Sequence, residues 1–231
     1  MTATETAEAP APTPLSAEQL FDAVGPAYET AFENLDTQHK SIRWLLDQLP
    51  SSGAKIVDIG CGTGKPVCYL LAEKGHDVLG IDISGAMIDA ARERVTKAKF
   101  EKLDIRDFNP PSESFDAVTA YFSLIAGVSQ DEIRATLKRV FGFLKPGGFL
   151  VWSTVPLDAD NLNLSWMGRP TVVSSLGPED ALAAVKDAGF EIVEEMRSQY
   201  LPKGAVEAGI CGEGDIWEEP HLFVYAKKPT A

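Results

Sequence analysis

Ile56-Val57-Asp58-Ile59-Gly60-Cys61-Gly62-Thr63-Gly64-Lys65 is the stretch whose reading decides the fold. A β-branched run forms a buried strand that passes straight into three alternating glycines, and a helix is expected over 65–74. Glycine lets the chain turn sharply and lets a ligand approach the backbone without a Cβ in the way. A tight turn with no ligand would use the same residues. The spacing narrows the choice. A phosphate loop needs Gly-x-x-x-x-Gly-Lys-Ser/Thr, but Pro66 follows Lys65, and Ile59 stands where its first glycine belongs. A dinucleotide turn needs a third glycine at the sixth position, which is Lys65 counted from Gly60 and Val67 counted from Gly62. Asp58 would repel a pyrophosphate and suits a cationic group. Asp82 ends the next strand, where a carboxylate can accept hydrogen bonds from ribose hydroxyls; as a helix-end carboxylate it would instead favour the helix that follows.

Outward from this stretch, short apolar strands alternate with amphipathic helices. Strands are expected at 55–60, 76–82, 100–105, 115–121, 149–155, 191–199 and 221–227, with helices at 85–97, 129–144 and 179–188. The alternation implies a mostly parallel sheet with helices on both faces, an α/β Rossmann-like fold. Upstream, Ser16-Ala17-Glu18-Gln19 matches a capping box for a helix that stops before Pro26, and a second helix covers 37–49. Residues 1–14, rich in Ala, Pro, Thr and Glu, read as a disordered tail. The division is then tail 1–14, N-terminal helical segment 15–52 and α/β domain 53–231. Two stretches, 156–177 and 201–220, break the rhythm with Gly, Pro, Asn and Trp; they are expected to be irregular loops that form a substrate pocket.

The chain has 231 residues, 45% hydrophobic, with a formal net charge of −13. That suits one globular domain, and it argues against nucleic acid or an anionic membrane as partner, since both are gripped by clustered Lys and Arg. Cys61, Cys68 and Cys211 offer neither a disulfide framework nor a metal ligand set. With no signal pattern and no long apolar run, the expected location is the cytoplasm.

Taken together, VDIGCGTG (57–64), VLGIDISGAMIDAAR (78–92), KLDIRDF (102–108), SFDAVTAYFS (114–123) and LKPGGFLVWS (144–153) resemble the class I S-adenosylmethionine-dependent methyltransferases. The likeness is strongest to the small-molecule branch with ubiquinone- and menaquinone-type members, and is close over 55–155. It implies a seven-stranded sheet with its last strand antiparallel and an N-terminal helical lid. The cofactor implied is S-adenosylmethionine, with Asp58, Gly60, Cys61, Gly62 and Gly64 around its methionyl part and Asp82 on the ribose. Ile83 and Met87 would line the adenine pocket, although both could be core, with Asp104 and the Ile105 backbone reading the adenine edge. Tyr121 and Phe122 would face the sulfonium and the acceptor. The implied reaction is methyl transfer to O, N, C or S of a small molecule. An NAD(P)-dependent oxidoreductase and a silent cofactor-binding module are the alternatives.

Methyl transfer does not oblige the protein to supply a nucleophile, because the methyl arrives activated. A general base, if used, would be His39 or His221, while His76 opens a strand and is read as structural. Tyr28, Trp152, Trp166 and Arg169 are the candidate acceptor contacts, an aromatic set beside a cation that would suit an aromatic acceptor bearing an acid group. The oligomeric state is left open.

Overall fold

The computed structural model describes residues 12–230. The capping box at Ser16 forms as expected, and it opens α1 (Ala17–Val24). A short 3-10 turn over Gly25–Ala27 leads to α2 (Tyr28–Phe32), and α3 is Asp36–Gln48. The α/β series follows: β1 (Lys55–Ile59), α4 (Val67–Glu73), β2 (Asp77–Asp82), α5 (Gly85–Arg94), β3 (Lys99–Lys102), β4 (Phe115–Tyr121), α6 (Gln130–Phe143) and β5 (Leu144–Thr154). A hairpin of β6 (Ala159–Trp166) and β7 (Arg169–Ser175) precedes α7 (Pro178–Asp187), β8 (Glu191–Tyr200), α8 (Lys203–Glu207) and β9 (Glu219–Lys227). Residues 1–11, most of the expected tail, lie outside the described part.

The main sheet runs β3-β2-β1-β4-β5-β9-β8, with β1 to β5 parallel and β9 antiparallel to both its neighbours. Strict alternation sends side chains to two cores. Val57, Ile59, Val118, Ala120, Leu222 and Val224 pack on one face under α6 and α7. Ile56, Ala117, Tyr121, Phe223 and Tyr225 pack on the other with residues of α3, α4 and α5. Asp58, between Val57 and Ile59, therefore points to the second face.

One expectation needs correction. The 156–177 stretch is largely an ordered antiparallel hairpin, paired from Ala159↔Ser175 to Trp166↔Arg169. Its two-residue turn, Met167-Gly168, has positive φ at both positions (48° and 73°), the geometry that matches strand twist in tight hairpins. Met167 is buried there among Val24, Ala31, Ala205 and Ile210, so the turn is fastened to α1, α2 and α8 by packing. The other break, 201–220, holds α8, a 3-10 turn and the first two residues of β9, with irregular chain between them.

Candidate active site

β1, β2 and β4 end on one rim of the sheet, and a cavity of about 430 Å³ opens there. Asp58, Gly60, Cys61, Gly62, Asp82, Ile83, Met87, Asp104, Ile105, Tyr121 and Phe122 all line it. Residues from α1, α2 and α3, including Tyr28 and His39, border the same space.

The glycines of the loop serve different ends. Gly60 has φ 68°, and a Cβ on it would fall 2.2 Å from Ser123 Cβ, so the chain after β4 approaches too closely for any side chain. Gly64 is also crowded, though less so, by the Phe100 ring, 2.9 Å from where its Cβ would be. Gly62, at φ 53°, would meet nothing within 4 Å: its α-carbon faces the open cleft. A ligand can therefore lie directly on the backbone at Gly62.

Asp58 is 2% exposed. Thr119 Oγ1 donates to one carboxylate oxygen at 2.6 Å and Cys68 Sγ to the other at 3.3 Å, and no cation pairs with it among the described residues. Burial pushes its pKa up to about 7, partly opposed by those two donors. Asp82 accepts from the Gly62 N–H at 2.9 Å and the Ser84 N–H at 2.8 Å. Both readings of Asp82 thus have a footing, since it borders the cavity and also steadies the start of α5. Its pKa is raised by burial despite these donors. Asp104 pairs with Arg106 at 2.6 Å; burial works against ionisation, but the Arg106 hydrogen bonds and charge hold the carboxyl below its usual range. Tyr121 is buried with its hydroxyl 2.7 Å from Ser41 Oγ, which ties β4 to α3.

A second, smaller cavity of about 80 Å³ adjoins the first, and Phe21, Tyr28, Phe32, Phe122 and Ala126 line both. His221, Trp166 and Glu219 line the second. Phe122, joining the two, has φ 53°, a strained setting for a bulky residue that is often found at functional sites. Of the expected acceptor contacts, Tyr28, Phe122 and Trp166 meet at these cavities and two do not. Trp152 lies 1% exposed in the core under α6, because its position on β5 faces inward. Arg169 donates to the Met167 and Ile210 carbonyls at 2.8 and 3.0 Å, so its charge is spent bracing the hairpin turn. His39 borders the larger cavity with Nε2 3.3 Å from the Glu33 carbonyl, and it does not line the smaller one. His76 is buried, with Nδ1 accepting from the Ala54 N–H, a structural role as expected.

Sequence reasoning passed over Glu219, Thr119 and Cys68. Glu219 lies two residues before His221 on a strand, a spacing that puts both on one face and was available as a signal. Thr119 and Cys68 could be recognised only once Asp58↔Thr119 were adjacent in register.

Comparison with known proteins bears on this geometry. Residues 56–148 match a family described as a methyltransferase domain. The trans-aconitate 2-methyltransferase of Paracidovorax citrulli is 38% identical over 129 residues, 54% of this chain and 47% of that protein. An O-methyltransferase of Aspergillus sclerotiorum is 26% identical over 183 residues, 73% of this chain and 68% of that one. The chain spans about half the length of the first curated relatives it matches (45%, 46% and 47%). Among solved structures, the cyclase SpnF superposes with a TM-score of 0.71 at 19% identity, covering 95% of this chain and 98% of the other, which speaks to the fold. Over residues 56–148 the chain is thus similar to a methyltransferase domain, and it shares its fold with the solved structure on which it superposes.

Proposed function

We propose that the chain binds S-adenosylmethionine in the larger cavity and transfers its methyl group to a small molecule held in the smaller one. The observation that carries this reading is Asp58: a buried carboxylate with no cation beside it among the described residues, at the floor of a cavity walled by the open backbone of Gly62. A ligand with a cationic amino group relieves that arrangement, whereas a pyrophosphate would worsen it. Asp82 still has lone pairs to receive a ribose diol, and Ile83, Met87, Asp104 and Ile105 stand along the cavity where an adenine would extend. The cofactor supplies a methyl group on a cationic sulfur. What remains for the chain is to hold the acceptor close, exclude water and take a proton where the acceptor has one to lose. α1 to α3 act as a lid. The small-molecule methyltransferase names among the relatives support this class of acceptor. No helix among the described residues is long and apolar enough to cross a membrane. The cysteines are free thiols, in keeping with a proposed cytoplasmic setting, and the negative net charge with a partner other than nucleic acid.

Calorimetry tests the cofactor assignment. S-adenosylhomocysteine should bind, NAD should not compete, and Asp82→Ala should weaken binding by about 1.5–3 kcal/mol, the range for hydrogen bonds to a charged group. Tight NAD binding, or unchanged affinity in the variant, would overturn the assignment.

A further inference from the structure

β9 carries two buried polar residues on one face, Glu219 at 5% exposure and His221 at 2%. His221 Nε2 lies 3.4 Å from Glu219 Oε2, and Trp166 Nε1 donates to the other oxygen, Oε1, at 3.2 Å. An ionised carboxylate only accepts hydrogen bonds, so the proton of the neutral imidazole sits on Nε2 and Nδ1 carries the lone pair. Nδ1 is buried and has no partner among the described residues. The ring lies 4.4 Å from that of Phe122, the residue that joins the two cavities. A basic nitrogen is thus held in the right tautomer and shielded from water, on a residue that lines the smaller cavity.

The walls restrict what that nitrogen can act on. No Lys or Arg among the described residues lines the smaller cavity, and Arg169 is occupied by carbonyls. A carboxylate acceptor would face Glu219 with nothing to offset the repulsion, so the acid-bearing acceptor expected from the sequence does not suit it. Aromatic and aliphatic side chains make up most of the remaining wall, with Trp217 and Leu157 exposed at 39% and 45%. A flat, largely apolar molecule with a neutral but acidic hydroxyl suits every one of these surfaces.

We propose that His221 is the general base of this site and that its acceptor is a phenol or enol, methylated on oxygen. The inference rests on the cofactor reading above. In the step proposed, the acceptor O–H bond breaks and an Nδ1–H bond forms, leaving the electron pair on oxygen as the attacking group. The imidazolium is balanced by Glu219, a positioning residue that Trp166 keeps in place. Phe122 is the ring that gives way as the hydroxyl enters. Of the other titratable groups, Tyr200 on β8 packs against His221 with its ring 5.8 Å away, and Tyr28 on α2 lines the same cavity.

A chromogenic phenol tests this without turnover. The full chain, saturated with S-adenosylhomocysteine, is titrated with 4-nitrophenol at about pH 6.5, where the free phenol is mostly neutral and an unperturbed histidine is about half charged. The expected result is that the bound probe shows the nitrophenolate band. His221→Phe should abolish the band, and Glu219→Gln and Trp166→Phe should weaken it, with S-adenosylhomocysteine affinity within about twofold of the parent (under ~0.4 kcal/mol). Nitrogen NMR of the parent protein should report Nδ1 unprotonated at neutral pH, which needs no variant to fold. A band that survives His221→Phe, a probe that binds neutral or not at all, or a proton found on Nδ1 each overturns the proposal. Failure of S-adenosylhomocysteine itself to bind would strike the cofactor reading instead.

Discussion

At Asp58 burial holds the pKa near 7 against an ordinary 3.8. The folded chain keeps a proton there that the unfolded chain releases. This group's contribution to stability is therefore full below about pH 4 and is lost as pH rises through about 7, some 4 kcal/mol at 1.36 kcal/mol per pH unit. Thermal melts without ligand should show the parent protein losing stability across this interval, and Asp58→Asn should flatten that part of the profile; parallel profiles would mean the charge is already compensated. A cation placed beside Asp58 favours its ionised form. S-adenosylhomocysteine, whose amino group is cationic, should therefore bind more tightly as pH rises toward about 8, releasing protons measurable by calorimetry in buffers of different ionisation enthalpy. Gly60→Ala and Gly62→Ala should also part ways. The first forces the chain at Ser123 to move and should destabilise the fold, while the second should cost about 1–2 kcal/mol of left-handed strain and keep the fold. Asp58 and both glycines could be read from sequence because their meaning is local. Glu219 was legible only in part: its spacing from His221 places both on one strand face, but Trp166, the residue that fixes it, is 53 positions away.

Among the elements, the N-terminal helices are pinned by acidic side chains reaching across the site. Glu18 pairs with Lys102 at 2.6 Å, Asp22 accepts from Ser84 Oγ at 2.5 Å, and Glu29 meets Arg94 at 2.6 Å and Lys65 at 3.7 Å. Each ion pair is partly exposed and individually worth little. Their joint effect should appear in opening and not in melting. Asp22→Ala combined with Glu29→Ala should leave the melting temperature nearly unchanged, expose 17–35 to protease and speed S-adenosylhomocysteine release about fivefold, the equivalent of ~1 kcal/mol. Unchanged release would mean that these helices are not a lid. The hairpin depends on packing instead, and Met167→Ala should cost about 2–5 kcal/mol in denaturant unfolding. The longer helices and the sheet strands were legible from periodicity to within about five residues, whereas the short helices α2 and α8 were not. The hairpin was not, because a Met-Gly turn lacks the Asn-Gly or Asp-Gly signature and takes its left-handed residue from burial against α1 and α2.

For the molecule as a whole, ligand binding is linked to stability. At a hundredfold excess over its dissociation constant, S-adenosylhomocysteine should add about 2.7 kcal/mol and raise the melting temperature by roughly 5–10 °C for a chain of this size. A smaller shift would indicate that the ligand also binds the unfolded chain or meets an open cavity. The parallel sheet was legible from β-α alternation, and the antiparallel last strand from the family resemblance. The two adjoining cavities were not, because they arise where N-terminal helices, hairpin and β9 meet, and no sequence window holds all three. The position of β9 also has a consequence for synthesis. It is made after β8 yet lies between β5 and β8. A nascent chain on the ribosome that has emerged only as far as residue 218 therefore leaves one edge of β5 open and β8 without its neighbour, a template for association with other chains. His221, the proposed base, is not yet in place. The proposed base and the closing of both strand edges arrive together, with the same nine residues.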